Sequence, residues 1–236
     1  MPVEEFFDRF IRERKSVLSE LERYPVEKLA RIIRDVGFSC TNCARCCTRE
    51  FNGHVFLLDR DIGPVRDADP SCLIPAPGFE FCDQHGHFYV SGYALSVQPG
   101  GNCVFLSGGR CRIYPVRPSI CRVYPYMLHR EPDEQGKIGW RQISGLNGHG
   151  LYNVPISPDG ADASASLTKD YEIGFLEQEI GFLELCRLHF SRDGLRHVRK
   201  VYDDHMRRFH RGEEIPVSVY RKGGFDEVWA RPSDYC

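Results

Sequence analysis

Four thiols within eight residues restrict this chain more than any other feature. The stretch FSCTNCARCCTREF carries Cys40, Cys43, Cys46 and Cys47, and a loop so dense in sulfur must bond its sulfurs to one another or to a metal. A second block, CVFLSGGRCRIYPVRPSICRVYPY, adds Cys103, Cys111 and Cys121. Disulfides fit this pattern poorly. The chain has 11 cysteines, an odd number, and cysteines three apart on a helix or turn rarely offer the Cβ vectors a disulfide needs. The N-terminal MPVEEFFDRFIRERK is charged and amphipathic, without the apolar run of a secretion signal. The expectation is a cytoplasmic, reducing setting and metal–thiolate bonding.

Two metal chemistries use such spacing. A C-x2-C-x2-C run lets one loop wrap three corners of a [4Fe–4S] cubane, with the fourth ligand arriving from elsewhere. Structural zinc pairs a C-x2-C knuckle with a second Cys or His pair. Both take the sulfurs as thiolates. The seven thiols of the two blocks exceed the four that one zinc or one cubane requires, which favours two sites or a larger multinuclear cluster. Cys82, in FCDQHGH, is a candidate eighth ligand, and His85 and His87 are candidate imidazoles. The adjacent Cys46 and Cys47 chelate one ion poorly, so they either bridge two sites or leave one thiol buried. Arg45, Arg110, Arg112, Arg117 and Arg122 are interleaved with the thiols; they are candidate donors to an anionic cluster, although surface loops carry arginine for solubility too.

The rest of the chain reads as an α+β protein rich in helix. Its cysteine-rich, irregular metal-binding core has short antiparallel strands and is flanked by N- and C-terminal helices. Residues 4–23 have the period of an amphipathic helix, with Phe6, Phe7, Phe10, Val17, Leu18 and Leu21 on one side. Pro25 opens a second helix and Gly37 closes it. A short strand and a turn or one-turn helix near Asp59 and Asp61 follow, then a hairpin at GHFYVSGYALSV. SGG reads as the turn of another hairpin, and a helix starts after Pro118. ISPDGADASAS reads as a surface linker, and two helical segments follow it. The expected division is 1–24 as an N-terminal helix, 25–155 as the cysteine-cluster domain and 156–236 as a helical extension. A formal net charge of −2 argues against nucleic-acid binding, and no apolar run is long enough to cross a bilayer.

CTNCARCC, then DRDI, then CVFLSGGRCRIYPVRPSICRVYP together resemble the YkgJ-type cysteine-cluster family, the zinc- or iron-chelating domain named for C-x2-C-x2-C-C. The resemblance covers about residues 30–155, with both blocks in order. It implies metal binding through Cys40, Cys43, Cys46, Cys47, Cys103, Cys111 and Cys121. Relatives carry a Cys-Pro-Gly after the second block, where this chain reads WRQISGLNGHG. With Ser144 at that place the usual last ligand is absent, and Cys82, His149 or a partner are the candidate substitutes.

Three functions follow as expectations. The first is an iron–sulfur protein, with a [4Fe–4S]-type or larger cluster, serving electron transfer or the assembly and activation of a partner metalloenzyme. The flanking helices would recognise that partner. The second is a zinc-stabilised interaction module. The third is a cluster-dependent methyltransferase, since flagellin lysine methylases have a similar cysteine pattern; the sequence has no strand–glycine–helix unit of the kind that binds the methyl donor. Tyr114, Tyr124 and Tyr126 read as packing around the loops, Cys186 as core and Cys236 as a free terminal thiol.

Overall fold

The computed structural model describes residues 3–49, 53–126, 128–132, 138–142 and 148–235; Ser144 and Cys236 lie outside them. Helix α1 (Val3–Arg23) and helix α2 (Val26–Val36) follow the apolar periodicity of the sequence, with Phe7, Ile11, Leu21, Leu29 and Ile33 buried. Gly37 ends α2 in the left-handed conformation, its N–H donating to the Ile33 carbonyl. Residues Asp59–Ala68 form α3, longer than the single turn expected there. Its extra length comes from Ile62 and Val65, which bury one face, and from Asp61, whose Oδ2 accepts the Leu58 N–H at 3.2 Å.

Short strands follow: β1 (Leu73–Pro75), β2 (Phe81–Cys82), β3 (Phe88–Val90), β4 (Tyr93–Leu95), β5 (Leu106–Ser107) and β6 (Arg110–Cys111). Helix α4 is Ser119–Val123, and β7 (Leu128–Pro132) pairs with β8 (Ile138–Gln142). Helix α5 (Pro158–Asp193) is 36 residues long, about 54 Å. Helix α6 (Arg199–His210) and the strands β9 (Ile215–Arg221) and β10 (Gly224–Ala230) complete the chain.

The expected hairpin at GHFYVSGYALSV is not formed. Strand β3 lies in the four-stranded sheet β10-β9-β3-β2, whereas β4 pairs with β1 in another. The chain turns a corner at Ser91 and Gly92 because α5 reaches in there. The Gln178 amide donates to the Ser91 carbonyl at 3.0 Å and the Leu57 carbonyl at 3.3 Å. A Cβ on Gly92 would stand 2.6 Å from Gln178 Nε2, so a larger residue there would displace the bridging amide. All three residues of each strand are buried, which removes the polar-out alternation of a surface hairpin.

The linker expected at ISPDGADASAS is instead the start of α5. Ser157 caps it, accepting from the Gly160 N–H at 3.2 Å, and Pro158 occupies its first turn. Ala161 and Ala165 are fully buried beside Leu21, Leu29 and Ile33. Small side chains there allow close helix packing, and the same composition reads as a loop in isolation.

Residues 215–230 form the β9–β10 hairpin, turned by Lys222 and Gly223 at positive φ. Strand β9 runs parallel to β3, the one parallel pair among the named strands. The fold is α+β, helix-rich, with short and mainly antiparallel strands and helices α1 and α5 against its body. Its apolar interior has several parts. One joins α1, α5 and β2 through Phe7, Phe81, Phe182 and Phe190, and another joins α1, α2 and α5. A third lies under β3 and β9, and Cys103 and Cys111 rest on its edge.

Candidate metal centre

The first cysteine block is shaped by two residues in a conformation that side chains rarely adopt. Asn42 (φ 54°) and Ala44 (φ 60°) are both left-handed, one between Cys40 and Cys43 and the other between Cys43 and Cys46. The chain then closes a 3-10 turn over Arg45–Cys47, with the Cys47 N–H donating to the Ala44 carbonyl at 2.9 Å. Asn42 N–H points at Cys40 Sγ, 3.4 Å away. The result is a tightly reversing loop with Cys40 and Cys43 exposed and Cys46 and Cys47 half-buried.

The second block is stitched to the first through the backbone. Cys103 N–H donates to the Cys47 carbonyl at 2.8 Å, and Arg49 N–H to the Gly101 carbonyl at 2.8 Å. One Gln98 amide nitrogen serves the carbonyls of Cys103, Val104 and Leu106, at 3.2, 3.2 and 2.8 Å. As the SGG motif predicts, Gly108 and Gly109 turn at positive φ between β5 and β6, which sets Cys111 opposite Leu106. Cys121 lies on α4, which starts after Pro118 as expected. Asp61, the second acid of DRDI, holds that helix: its Oδ1 accepts Ser119 N–H at 3.0 Å and Ser119 Oγ–H at 2.7 Å. One buried carboxylate thus ties α3 to the helix that presents Cys121.

The thiols share one electrostatic field. Cys46 is pushed far up, first by its hydrogen bond with Cys47, then by burial and by Cys47, Cys121 and Cys40. Cys47 is drawn down to about 7 by the same bond and by Arg117, against burial. Burial raises Cys103 to about 11, with smaller contributions from Cys47 and Cys111. Cys121 is raised by burial and then by Cys103, Cys47 and Cys111, and Cys111 by burial and Cys47. Cys43 is lowered, chiefly by the Arg45 backbone N–H. Several thiolates packed this closely repel one another unless a multivalent cation lies between them.

Of the five interleaved arginines, two reach these thiols. Arg117 lowers Cys47, Cys111 and Cys121, and Arg112 lowers Cys103 and Cys111. Arg117 lies 4.0 Å over the exposed Tyr114 ring, and its Nε is buried with no hydrogen-bond acceptor. Arg45 instead donates to the Gly148 carbonyl at 3.0 Å, and Arg122 to the Arg117 carbonyl at 2.9 Å.

The other candidates divide sharply. Cys82 lies in the core, its thiol donating to the Asp83 carbonyl at 3.5 Å and pushed to about 12 by burial and Asp83, with no thiol among its perturbing groups. His85 and His87 belong to the Asp83 turn, where both backbone N–H groups donate to Asp83 Oδ1. His87 Nε2 meets Ser218 and Glu227 at 2.8 Å each. His149 is nearer the first block: it bonds Tyr124 Oη at 2.7 Å, and its neighbour Gly150 contributes a backbone hydrogen bond to Cys43. Tyr124 and Tyr126 pack as expected, whereas Tyr114 stands exposed; Tyr126 Oη also accepts Phe38 N–H at 3.2 Å, and Cys186 is buried in α5. The sequence reading passed over Cys72. It is fully buried, donates to the Val65 carbonyl at 3.7 Å and feels Cys103 electrostatically; no spacing in the sequence marks it.

Among the described residues no three Cys, His, Asp or Glu side chains stand in ligand geometry around one point. Burial raises Cys103, Cys111 and Cys121, and metal binding is coupled to loss of thiol protons. The donor set nonetheless suits a thiophilic metal, because soft sulfurs from two segments meet a buried guanidinium N–H lacking an acceptor. A void of about 20 Å³ lies beside Cys46, Cys47 and Cys103, with Thr48, His54 and Ser96 on its wall. That is room for a single water-sized occupant.

The fold brings the thiols of the two blocks into one region of the molecule. Residues 39–143, less than half of the chain, match the sequence family described as "CxxCxxCC: Putative zinc- or iron-chelating domain", a match that supports metal binding. The chain is also similar to "Uncharacterized protein MJ0661" of Methanocaldococcus jannaschii, 24% identical over 98 residues. The matched stretch covers 41% of this chain and 48% of that one, so the chain spans about half the length of this curated relative. No solved structure matches. No helix among the described residues is long and apolar enough to cross a membrane.

Proposed function

We propose that this protein carries an iron–sulfur centre and uses it to exchange electrons with a protein partner, or to assemble or activate a partner metalloenzyme. The observation that carries this reading is the backbone joint between Cys47 and Cys103. It holds the two blocks side by side, and their combined thiols outnumber the ligands of one tetrahedral ion. Cys40, Cys43, Cys46 and Cys47 would form one wall and Cys103, Cys111 and Cys121 the other. Such a centre supplies a one-electron couple whose potential follows charge, hydrogen bonds to sulfur and exposure. Arg117 provides a buried donor for a sulfur ligand, and Arg112 adds positive charge.

Two further features favour function over scaffolding. Cys40 and Cys43 are exposed, which brings the site to the surface where a partner docks. The aromatic interior of α1, α5 and β2 includes none of the clustered thiols, so much of the fold does not depend on the metal. The partner would dock on the flanking helices, where Leu167 and Leu188 of α5 stand exposed.

A second reading, a zinc site, has its own support in the small void beside Cys46, Cys47 and Cys103, sized for one ion. Iron, zinc and acid-labile sulfide per chain, measured on protein purified without oxygen, separate the two. Near-equal iron and sulfide with broad absorption near roughly 400 nm, as for thiolate-bound clusters, is the expected result. Zinc without sulfide or colour overturns the redox reading and leaves a zinc-stabilised module.

A further inference from the structure

A second concavity lies away from the thiols, between α1, β2 and α5. It is a cleft of about 250 Å³ lined by Phe10, Arg14, Glu80, Phe81, Ser91, Glu179, Phe182 and Leu183. Three of its walls are aromatic: Phe81 and Phe182 stack with ring centroids 5.8 Å apart, and Phe10 meets Phe81 edge-on at 6.5 Å. Its polar groups are unevenly matched. Arg14 Nε stands 2.8 Å from Glu179 Oε2. Glu80 has the Ser91 hydroxyl on Oε1, at 2.9 Å.

Glu80 lines the cleft with its side chain exposed, yet neighbouring protein crowds its carboxyl. Burial is the chief force on its carboxyl and raises it to about 7; Glu179 adds to the rise and Ser91 opposes it. No guanidinium or ammonium is among these influences. Once Glu80 is ionised, above about pH 7, two carboxylates and one guanidinium share the cleft, and the one guanidinium is paired with Glu179. A mobile cation entering the cleft would complete the charge balance.

We propose that this cleft binds a small organic ammonium, a primary alkylamine in its protonated form. The ammonium donates to Glu80 and Glu179, and the alkyl chain lies along Phe81, Phe182 and Leu183. An ammonium offers three donors, enough for both carboxylates and the Ser91 hydroxyl. The aromatic faces favour a cation over a neutral group of the same shape. A mostly apolar cleft with a few convergent polar groups is the usual form of a small-molecule site. None of its lining residues is a cysteine, so the proposal stands apart from the metal centre.

The test uses the purified, metal-loaded full chain at about pH 8, where Glu80 is ionised and an alkylamine is still protonated, and three probes of equal length: n-hexylammonium, n-hexanol and hexanoate. Backbone amide shifts at Phe81 and Ser91 report binding. The expected result is saturable binding of n-hexylammonium alone in the millimolar range or tighter. Glu80→Gln should weaken it by at least about tenfold, the cost of a lost charge-assisted hydrogen bond. If that variant does not fold, Glu179→Gln and the three-probe comparison on the unaltered protein still decide. Equal binding of n-hexanol, preference for hexanoate, or no saturable shift with n-hexylammonium overturns the proposal. So does an unchanged affinity in folded Glu80→Gln.

Discussion

The two halves of this molecule are held together by different forces. The body of α1, α5 and the β10-β9-β3-β2 sheet is built by side chains, with Phe7, Phe88, Phe182 and Phe190 each less than 2% exposed. The thiol region is built by backbone: left-handed Asn42 and Ala44, the Cys103–Cys47 hydrogen bond, and Gln98 bridging three carbonyls. Its seven clustered cysteines remain half-buried or exposed, with Cys103 and Cys111 at the edge of the core. The body should therefore fold without metal, while the thiol loops gain their final ligand geometry from it. A loop rich in backbone hydrogen bonds opens more readily than an aromatic core, which suits a site that must load a metal.

That contrast can be broken by experiment. The largest effect expected is from Cys47→Ala, which removes a thiol at the joint between the blocks. Bound metal per chain should fall to background while far-UV circular dichroism stays native. Wholesale unfolding of that variant would show that the body depends on the metal after all. Phe190→Ala should do the reverse, destabilising the fold by about 3–5 kcal/mol with metal stoichiometry intact in the folded fraction. Chemical denaturation and metal analysis of the same sample check both halves of that statement.

Asp61→Ala lies on the boundary between the regions. It strands the Ser119 and Leu58 N–H groups and should cost about 2 kcal/mol. Because Asp61 anchors the helix bearing Cys121, metal affinity should fall as well, read by competition with a chelator. A stability loss without weaker metal binding would restrict its role to capping α3. Cys186→Ala should cost only about 1 kcal/mol and leave metal content unchanged. Metal loss in that variant would mean that the site extends into α5.

The smallest effect belongs to Glu80. Its native carboxyl holds a proton up to about 7, against 4.5 for the ordinary group. Between those values the native state binds more protons than the unfolded one, so stability falls as pH rises. The contribution is complete below the unfolded value and lost as pH passes the native one. Denaturation midpoints between pH 5 and 8 should decline, and Glu80→Gln should flatten that part of the slope. An unaltered slope would place the pH response in the thiol region instead.

Much of the thiol site was legible in the sequence because its determinants are local. C-x2-C spacing, SGG and Pro118 each act within a few residues, and β5–β6 and α4 formed where those signals lie. The periodicity of α1 and α2 and the Gly37 stop belong to the same class. Cys82 was the weaker reading: its place beside two histidines looked like a ligand motif, whereas the strand β2 turns its thiol into the core. Cys72 carried no signal, since only folding brings it behind Cys103.

By itself, the sequence determined where the thiols cluster, where α1 and α2 run ahead of them and which turn joins β5 to β6. Tertiary structure decided what those elements meet. It separated β3 from β4, set β9 parallel to β3, turned a serine-rich stretch into the first turns of α5 and joined Cys47 to Cys103. Turn and helix signals are written in neighbouring residues, whose steric and hydrogen-bonding preferences act at once. Partner choice between distant segments depends on which surfaces fill one another's space and satisfy one another's backbone groups, and no window along the chain contains both sides of that contact.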